Sequence, residues 1–266
     1  MSQRLVLIHG LASTPQEFAL IKHPLRRAGI DLTCLEVPGY THGSDGLAHS
    51  TWRDWLIGAT RALDQQAQSD HRPMIIGGLC TGALVAAALV LERPSLARGL
   101  VMLSPSLSLD GWALPWWYRL RHLAYGLGLS HCFAMREREP YGVKNERMRQ
   151  WMRAQIEESA VSPVGPATVS LHAVRESERL ARVVRSLLPG LAIPARVLHA
   201  RDDEICSVHS AQAALAAAPA GLVEAVVLDN SFHMITLDDD RAKVVSVIRD
   251  FMAELAGQRG AASAPA

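Results

Sequence analysis

The chain has 266 residues, 49% of them hydrophobic and 20% charged, with a formal net charge of +1. That length fits one α/β domain carrying an insertion better than two independent domains, and the apolar fraction supplies a large core. Near-neutral charge excludes a global field that recruits nucleic acid, and no apolar stretch approaches the length of a membrane span.

The first element is a strand over Arg4–His9, and a Pro-started helix over Pro15–Ala28 follows. Next come a strand at Leu32–Val37, a helix at Thr51–Gln68, a strand at Pro73–Gly77, a helix at Thr81–Leu91 and a strand at Gly99–Leu103. After a break in the pattern, a helix over Val169–Leu187, strand Ala195–Ala200, helix Val208–Ala217, strand Glu224–Leu228 and helix Arg241–Ala256 complete the series. Strands alternating with helices predict βαβ units and a parallel sheet. A closed barrel needs eight strands, so six predict an open, doubly wound sheet.

The break lies at about 105–165 and holds Trp112, Trp116, Trp117 and Trp151, four of the six tryptophans. It predicts a helical, aromatic lid inserted in one domain that spans residues 1–256, with a flexible tail at 257–266. Between Trp112 and Arg153, eight Arg or Lys face three Glu. Such a basic lid could dock an acidic acyl carrier protein or the phosphates of coenzyme A, unless it is only a solvated helix face. The N-terminal run Leu5–Ile8 is too short for a signal h-region. The four cysteines, Cys34, Cys80, Cys132 and Cys206, form no CxxC pair, so a reduced, cytoplasmic protein without stable membrane insertion is expected. Eleven histidines without HxH or HExxH spacing predict neither a metal site nor a cofactor.

Four segments carry the candidate chemistry. Ile75-Ile76-Gly77-Gly78-Leu79-Cys80-Thr81-Gly82-Ala83 reads as strand, tight turn and helix, with Gly78 and Gly82 flanking a nucleophile on the turn. The helix N-terminus beneath Cys80 favours a thiolate. His9-Gly10-Leu11 ends the first strand, and its loop can aim the Leu11 amide beside that of Thr81 to form a two-donor oxyanion hole. Asp202-Asp203-Glu204 follows a strand, and His233 lies in the loop after the last strand. Singly each reads as a glycine turn, a buried cysteine, an acidic turn or a loop histidine. Together they put nucleophile, acid and histidine, in that chain order, at one edge of the sheet. His9, Trp112, Trp116 and Met234 are the candidate pocket residues, with Cys206, His42 and His49 as weaker ones.

As a set, His9-Gly10-Leu11…Thr14-Pro15-Gln16-Glu17, Pro38-Gly39-Tyr40…His42-Gly43, Gly78–Gly82, Ala200-Arg201-Asp202-Asp203-Glu204 and His233-Met234-Ile235-Thr236-Leu237-Asp238 resemble the α/β-hydrolase superfamily. The likeness is closest to bacterial carboxylesterases of the monoacylglycerol lipase type and spans the chain outside the insertion. It implies the α/β-hydrolase fold, with Asp203 as the acid that orients His233 and Asp202 at a position that varies. The family places serine at the elbow, where this chain has Cys80. The superfamily also contains cysteine enzymes, including dienelactone hydrolases and polyester synthases. A thiol gives a thioester intermediate that stays reactive towards amine, thiol or alcohol acceptors. The expected function is therefore a thioesterase, esterase or acyltransferase working on an acyl ester or thioester. A serine replaced by cysteine, an enzyme that has lost activity, a hydrolase-like binding protein and a dienelactone or C–C hydrolase are the competing readings.

Overall fold

The computed structural model describes residues 3–41, 46–136, 138–159, 161–162, 165–166 and 168–262. The main sheet contains β1 (Gln3–Ile8), β2 (Ile30–Leu35), β3 (Met74–Leu79) and β4 (Leu100–Leu103). Two short strand pairs follow, made from β5 (Ala134–Arg136), β6 (Val161–Ser162), β7 (Gly165–Pro166) and β8 (Thr168–Ser170). Strands β9 (Ala195–Ala200) and β10 (Val223–Leu228) complete the main sheet. Its order is β10-β9-β4-β3-β1-β2, and every pairing is parallel.

Parallel strands need crossovers, and here helices supply them on both faces. On one face pack α2 (Trp52–Ser69), α3 (Thr81–Glu92) and α6 (Leu171–Leu187), through Trp55, Leu63, the Ala83–Val90 run, Leu180 and Val184. On the other pack α1 (Ala19–Arg27) and α8 (Arg241–Ala262), through Ile21, Leu25, Val244, Ile248 and Phe251. Within β1 the period of two decides the side: Val6 and Ile8 join the first cluster, Leu5 and Leu7 the second. The doubly wound sheet expected from the alternation is the one observed. The chain leaves β1 for β2 on one side and returns to β3 on the other. The carboxyl ends of β1 and β3 therefore flank a switch point, where open α/β sheets hold their ligands.

Boundaries differ in places, each for a local reason. Residues Pro15–Phe18 form a 3-10 turn capped by Thr14, and α1 begins only at Ala19. The helix expected from Val169 begins at Leu171, because Val169 pairs with Met135 in the β5·β8 ladder and Ser170 caps the helix by accepting from the Ala173 amide. Helix α8 continues to Ala262, past the expected end at Ala256. Residues 105–165 are less helical than expected: α4 (Arg121–Gly126) and α5 (Glu146–Ser159) are joined by 3-10 turns and β5. Val208–Leu215 forms α7. Among the described residues, no helix is long and apolar enough to cross a membrane.

Candidate active site

Cys80 stands between β3 and α3 with φ 57° and ψ −123°, a strained conformation for a residue with a side chain, costing on the order of 1–3 kcal/mol. Packing on both sides holds it there. A Cβ on Gly82 would lie 2.2 Å from the carbonyl oxygens of Ile8 and His9, and one on Gly78 2.6 Å from that of Ile8. The Cys80 amide donates to the Leu103 carbonyl at 3.0 Å, tying the turn to β4. Thr81 Oγ1 lies 3.9 Å from the sulfur and is held by Ser177 Oγ at 2.7 Å and Ser106 Oγ at 3.3 Å.

Asp203 and His233 come together from the loops after β9 and β10. His233 Nδ1 lies 2.8 Å from Asp203 Oδ2, and both residues are buried. Asp203 Oδ1 accepts from the amides of Ile205 and Cys206, each at 2.9 Å, which fixes its direction. His199 Nε2 is 3.5 Å from the same carboxylate. Since a carboxylate accepts, Nδ1 of His233 carries the hydrogen that binds Asp203, and proton exchange with the sulfur is left to Nε2. Nε2 is buried and has no hydrogen-bond partner among the described residues, and Cys80 is one of the groups that act electrostatically on the His233 ring.

The electrostatics form one coupled set. Burial opposes ionisation of Cys80, but the His233 charge and the Thr81 hydroxyl and amide outweigh it and hold the thiol below its ordinary value. Burial likewise opposes charge on His233, and Asp203 and Cys80 more than reverse this, raising it well above the ordinary histidine range. Asp203 is kept low despite burial by His233, His199 and the Cys206 amide. The direction is towards a thiolate–imidazolium pair. Elsewhere burial pushes Cys34 up to about 11 and Cys206 up to about 12.

The amide of Leu11 has no hydrogen-bond partner among the described residues, whereas the preceding Gly10 amide donates to Glu17 Oε1 at 2.6 Å. The Thr81 amide interacts with the Cys80 sulfur. The expected pocket residues fare differently. Met234 packs against the same core cluster as Cys80 and against Gly142, to whose carbonyl its amide donates at 2.7 Å. His9 is fully buried instead, its ring stacked on Tyr40 and bonded to the Gly10 carbonyl and Thr41 Oγ1. Burial lowers it to about 4, so it is a neutral core group rather than part of a pocket wall. Trp112 is 62% exposed, with Nε1 donating to the Asp202 carbonyl and its ring edge against Phe232. Trp116 is 80% exposed. Cys206 is buried beside Asp203, His49 is exposed, and His42 lies outside the described residues.

Two of the other buried carboxyls, Glu204 and Glu17, support the loops of this site. Glu204 Oε2 accepts the His233 amide at 3.0 Å, and burial pushes it up to about 7. Glu17 holds the loop that carries Leu11. The basic segment is also partly neutralised: Arg121 pairs with Glu178, Lys144 with Asp202, Arg149 with Glu146 and Arg153 with Glu139.

A family model described as serine aminopeptidase, S33 (Hydrolase_4), matches residues 1–240. Among solved structures, that of LipS and LipT, two metagenome-derived lipolytic enzymes, is 20% identical with a TM-score of 0.75, over 95% of this chain and 94% of that one. The Paleococcus ferrophilus monoacylglycerol lipase is 15% identical with a TM-score of 0.76, over 95% and 94%. The thioesterase domain from the curacin biosynthetic pathway is 13% identical with a TM-score of 0.62, over 95% and 91%. At these identities the likeness shows the fold alone. No curated protein sequence matches the chain.

Proposed function

Since the chain belongs to the family described as serine aminopeptidase, S33, and carries the α/β-hydrolase fold, we propose that it cleaves acyl esters or thioesters through an acyl intermediate on Cys80. The observation that carries this reading is the Asp203–His233 bond at 2.8 Å, aimed from the next loops at a cysteine held at φ 57° on the elbow. With the thiol proton held by His233, the Cys80 sulfur adds to the carbonyl carbon. The amides of Leu11 and Thr81 hold the resulting oxyanion. Collapse expels the alcohol or thiol, which takes the proton back from His233. Water then adds to the thioester, giving up a proton to His233, and collapse breaks the C–S bond, which releases the acid and restores the Cys80–His233 pair with that proton. An amine, thiol or alcohol in place of water makes the same intermediate a donor for acyl transfer.

The protein acts in this reading in a reducing, cytoplasmic setting, where its four free thiols persist. Residues 105–165 serve as a lid on a single domain. Half of the cations there are already paired, so docking of an acyl carrier protein or coenzyme A would rest on Arg119, Arg136, Arg138 and Arg147. The test is turnover of a panel of neutral acyl esters and thioesters by the wild type and by Cys80→Ala. Turnover lost in the variant supports the reading. Turnover retained moves the nucleophile, and none in either protein favours a binding protein that keeps the fold.

A further inference from the structure

The imidazole that faces Glu17, His233, is ion-paired not with it but with Asp203, and Glu17 is 1% exposed. Its carboxyl faces back along the chain onto the loop after β1. The Gly10 amide donates to Oε1 at 2.6 Å, and Ser13 Oγ lies 2.5 Å from Oε2. These two residues bracket Leu11, whose amide is the free donor. Thr236 Oγ1 donates to the Glu17 carbonyl at 2.7 Å, so the same turn is also tied to the loop of His233. Only a glycine separates this carboxyl from the nucleophile. A Cβ on Gly10 would sit 3.4 Å from Glu17 Oε2 and 3.5 Å from Cys80 Cβ.

We propose that Glu17 is a positioning residue that works as a neutral acid, holding the Gly10–Ser13 loop with the Leu11 amide turned to the reacting carbonyl. This rests on the acyl chemistry proposed at Cys80. A buried carboxyl is costly to ionise when the one cation that faces it, His233, is already shared between Asp203 and Cys80. Towards a carboxylate Ser13 Oγ is the donor; the protonated form keeps both neighbours by reversing that one bond, so that one oxygen accepts the Gly10 N–H while the O–H turns onto Ser13 Oγ. Ionised, it would set a negative charge one glycine behind the position where the oxyanion forms, in a site where charge is poorly screened. The titratable groups that face it are Cys80 at the elbow, His233 from the loop after β10, and Cys34 and Tyr40 on and after β2. Burial dominates and pushes Glu17 up to about 8, with Cys80 adding to the rise and Ser13, Gly10 and His233 opposing it.

The consequence is an alkaline limb that belongs to Glu17 and not to the Cys80–His233 pair. One pH unit above its pKa, about ten-fold less of the neutral acid remains, so kcat/KM for a neutral ester falls about ten-fold between pH 7 and pH 9. Glu17→Gln presents an amide with the same acceptor and donor. It is expected to abolish this limb, whereas Glu17→Ala lowers kcat/KM at pH 7 by leaving the Gly10 amide unpaired. The wild-type minus Glu17→Gln infrared difference spectrum at pH 7 should show the carbonyl stretch of a protonated carboxylic acid. That readout needs no substrate, so it stands even if Cys80 proves not to be the nucleophile. An unchanged limb in Glu17→Gln, or a carboxylate stretch in place of the acid stretch at pH 7, overturns the proposal. So does a Gln variant that folds normally but has lost activity at pH 7, because Glu17 would then act as an anion.

Discussion

Asp203 Oδ2 lies 2.8 Å from His233 Nδ1, whereas the adjacent Asp202 turns outward and pairs with Lys144 at 3.1 Å. Two neighbouring aspartates thus have opposite surroundings, one fixed by two backbone amides and the other half in solvent.

Asp203→Asn is expected to lower kcat/KM by about 100-fold or more, because the amide no longer selects the Nδ1–H tautomer; a cysteine enzyme loses less than a serine one. Asp202→Asn should cost only a few-fold, the scale of an exposed ion pair of about 0–1 kcal/mol. Steady-state kinetics of both variants decides it. A larger loss at Asp202 would transfer the orienting role there.

Cys80 should be the first thiol alkylated by iodoacetamide at pH 7, ahead of the more exposed Cys132. His233 holds the Cys80 thiol low, while burial holds Cys34 and Cys206 up at about 11 and 12. Peptide mapping after partial labelling reads this out. Cys206 labelled first, with activity lost, would move the nucleophile.

Stability should fall as pH rises from 4.5 towards 8 in the part owed to Glu17. Its pKa is raised from 4.5 to about 8 on folding, so across that window the native protein holds a proton that the unfolded chain has released. Glu17→Gln removes that slope and should raise the melting temperature relative to wild type more at pH 8 than at pH 5. An equal shift at both values would mean that the carboxyl is not protonated on folding.

Gly82→Ala brings a methyl group to 2.2 Å from two backbone oxygens, which rigid strands give way to only at a cost of about 1–3 kcal/mol or more. Chemical denaturation should show that loss. Gly126→Ala, where nothing lies within 4 Å of the added methyl, should cost no stability.

The sheet was legible because each strand is a short apolar run ended by Gly, Pro or a charged turn, and the β1 faces follow strict alternation. The approach of Cys80, Asp203 and His233 was legible for a related reason: in a parallel sheet, residues that directly follow strands share one edge. What escaped was the sense of individual side chains. An acid in a helix's first turn is common on exposed surfaces, so nothing local marks Glu17 as buried. The burial of His9 depends on a distant partner, Tyr40, which nothing in its own segment announces. Ser170 did carry a cap signal that moves the start of α6, but the apolar Val169 beside it fits a helix pattern equally well.

Reversing Arg138 and Arg147 to Glu should weaken turnover of a carrier-bound acyl substrate and spare a small neutral thioester. Neither has a carboxylate partner among the described residues, unlike Arg149 with Glu146. Moderate salt should mimic the change, since exposed charges are screened beyond ~8–10 Å. Equal loss on both substrates would make these arginines structural.

The most direct test of a Cys80 acyl-enzyme is rapid-quench intact mass spectrometry during turnover of a neutral acyl thioester, followed by peptide mapping. The expected result is a single added acyl group on the peptide containing Cys80, decaying as substrate runs out and absent in Cys80→Ala. Acyl groups on Cys132 or Cys206, or continued turnover by Cys80→Ala, would contradict the account.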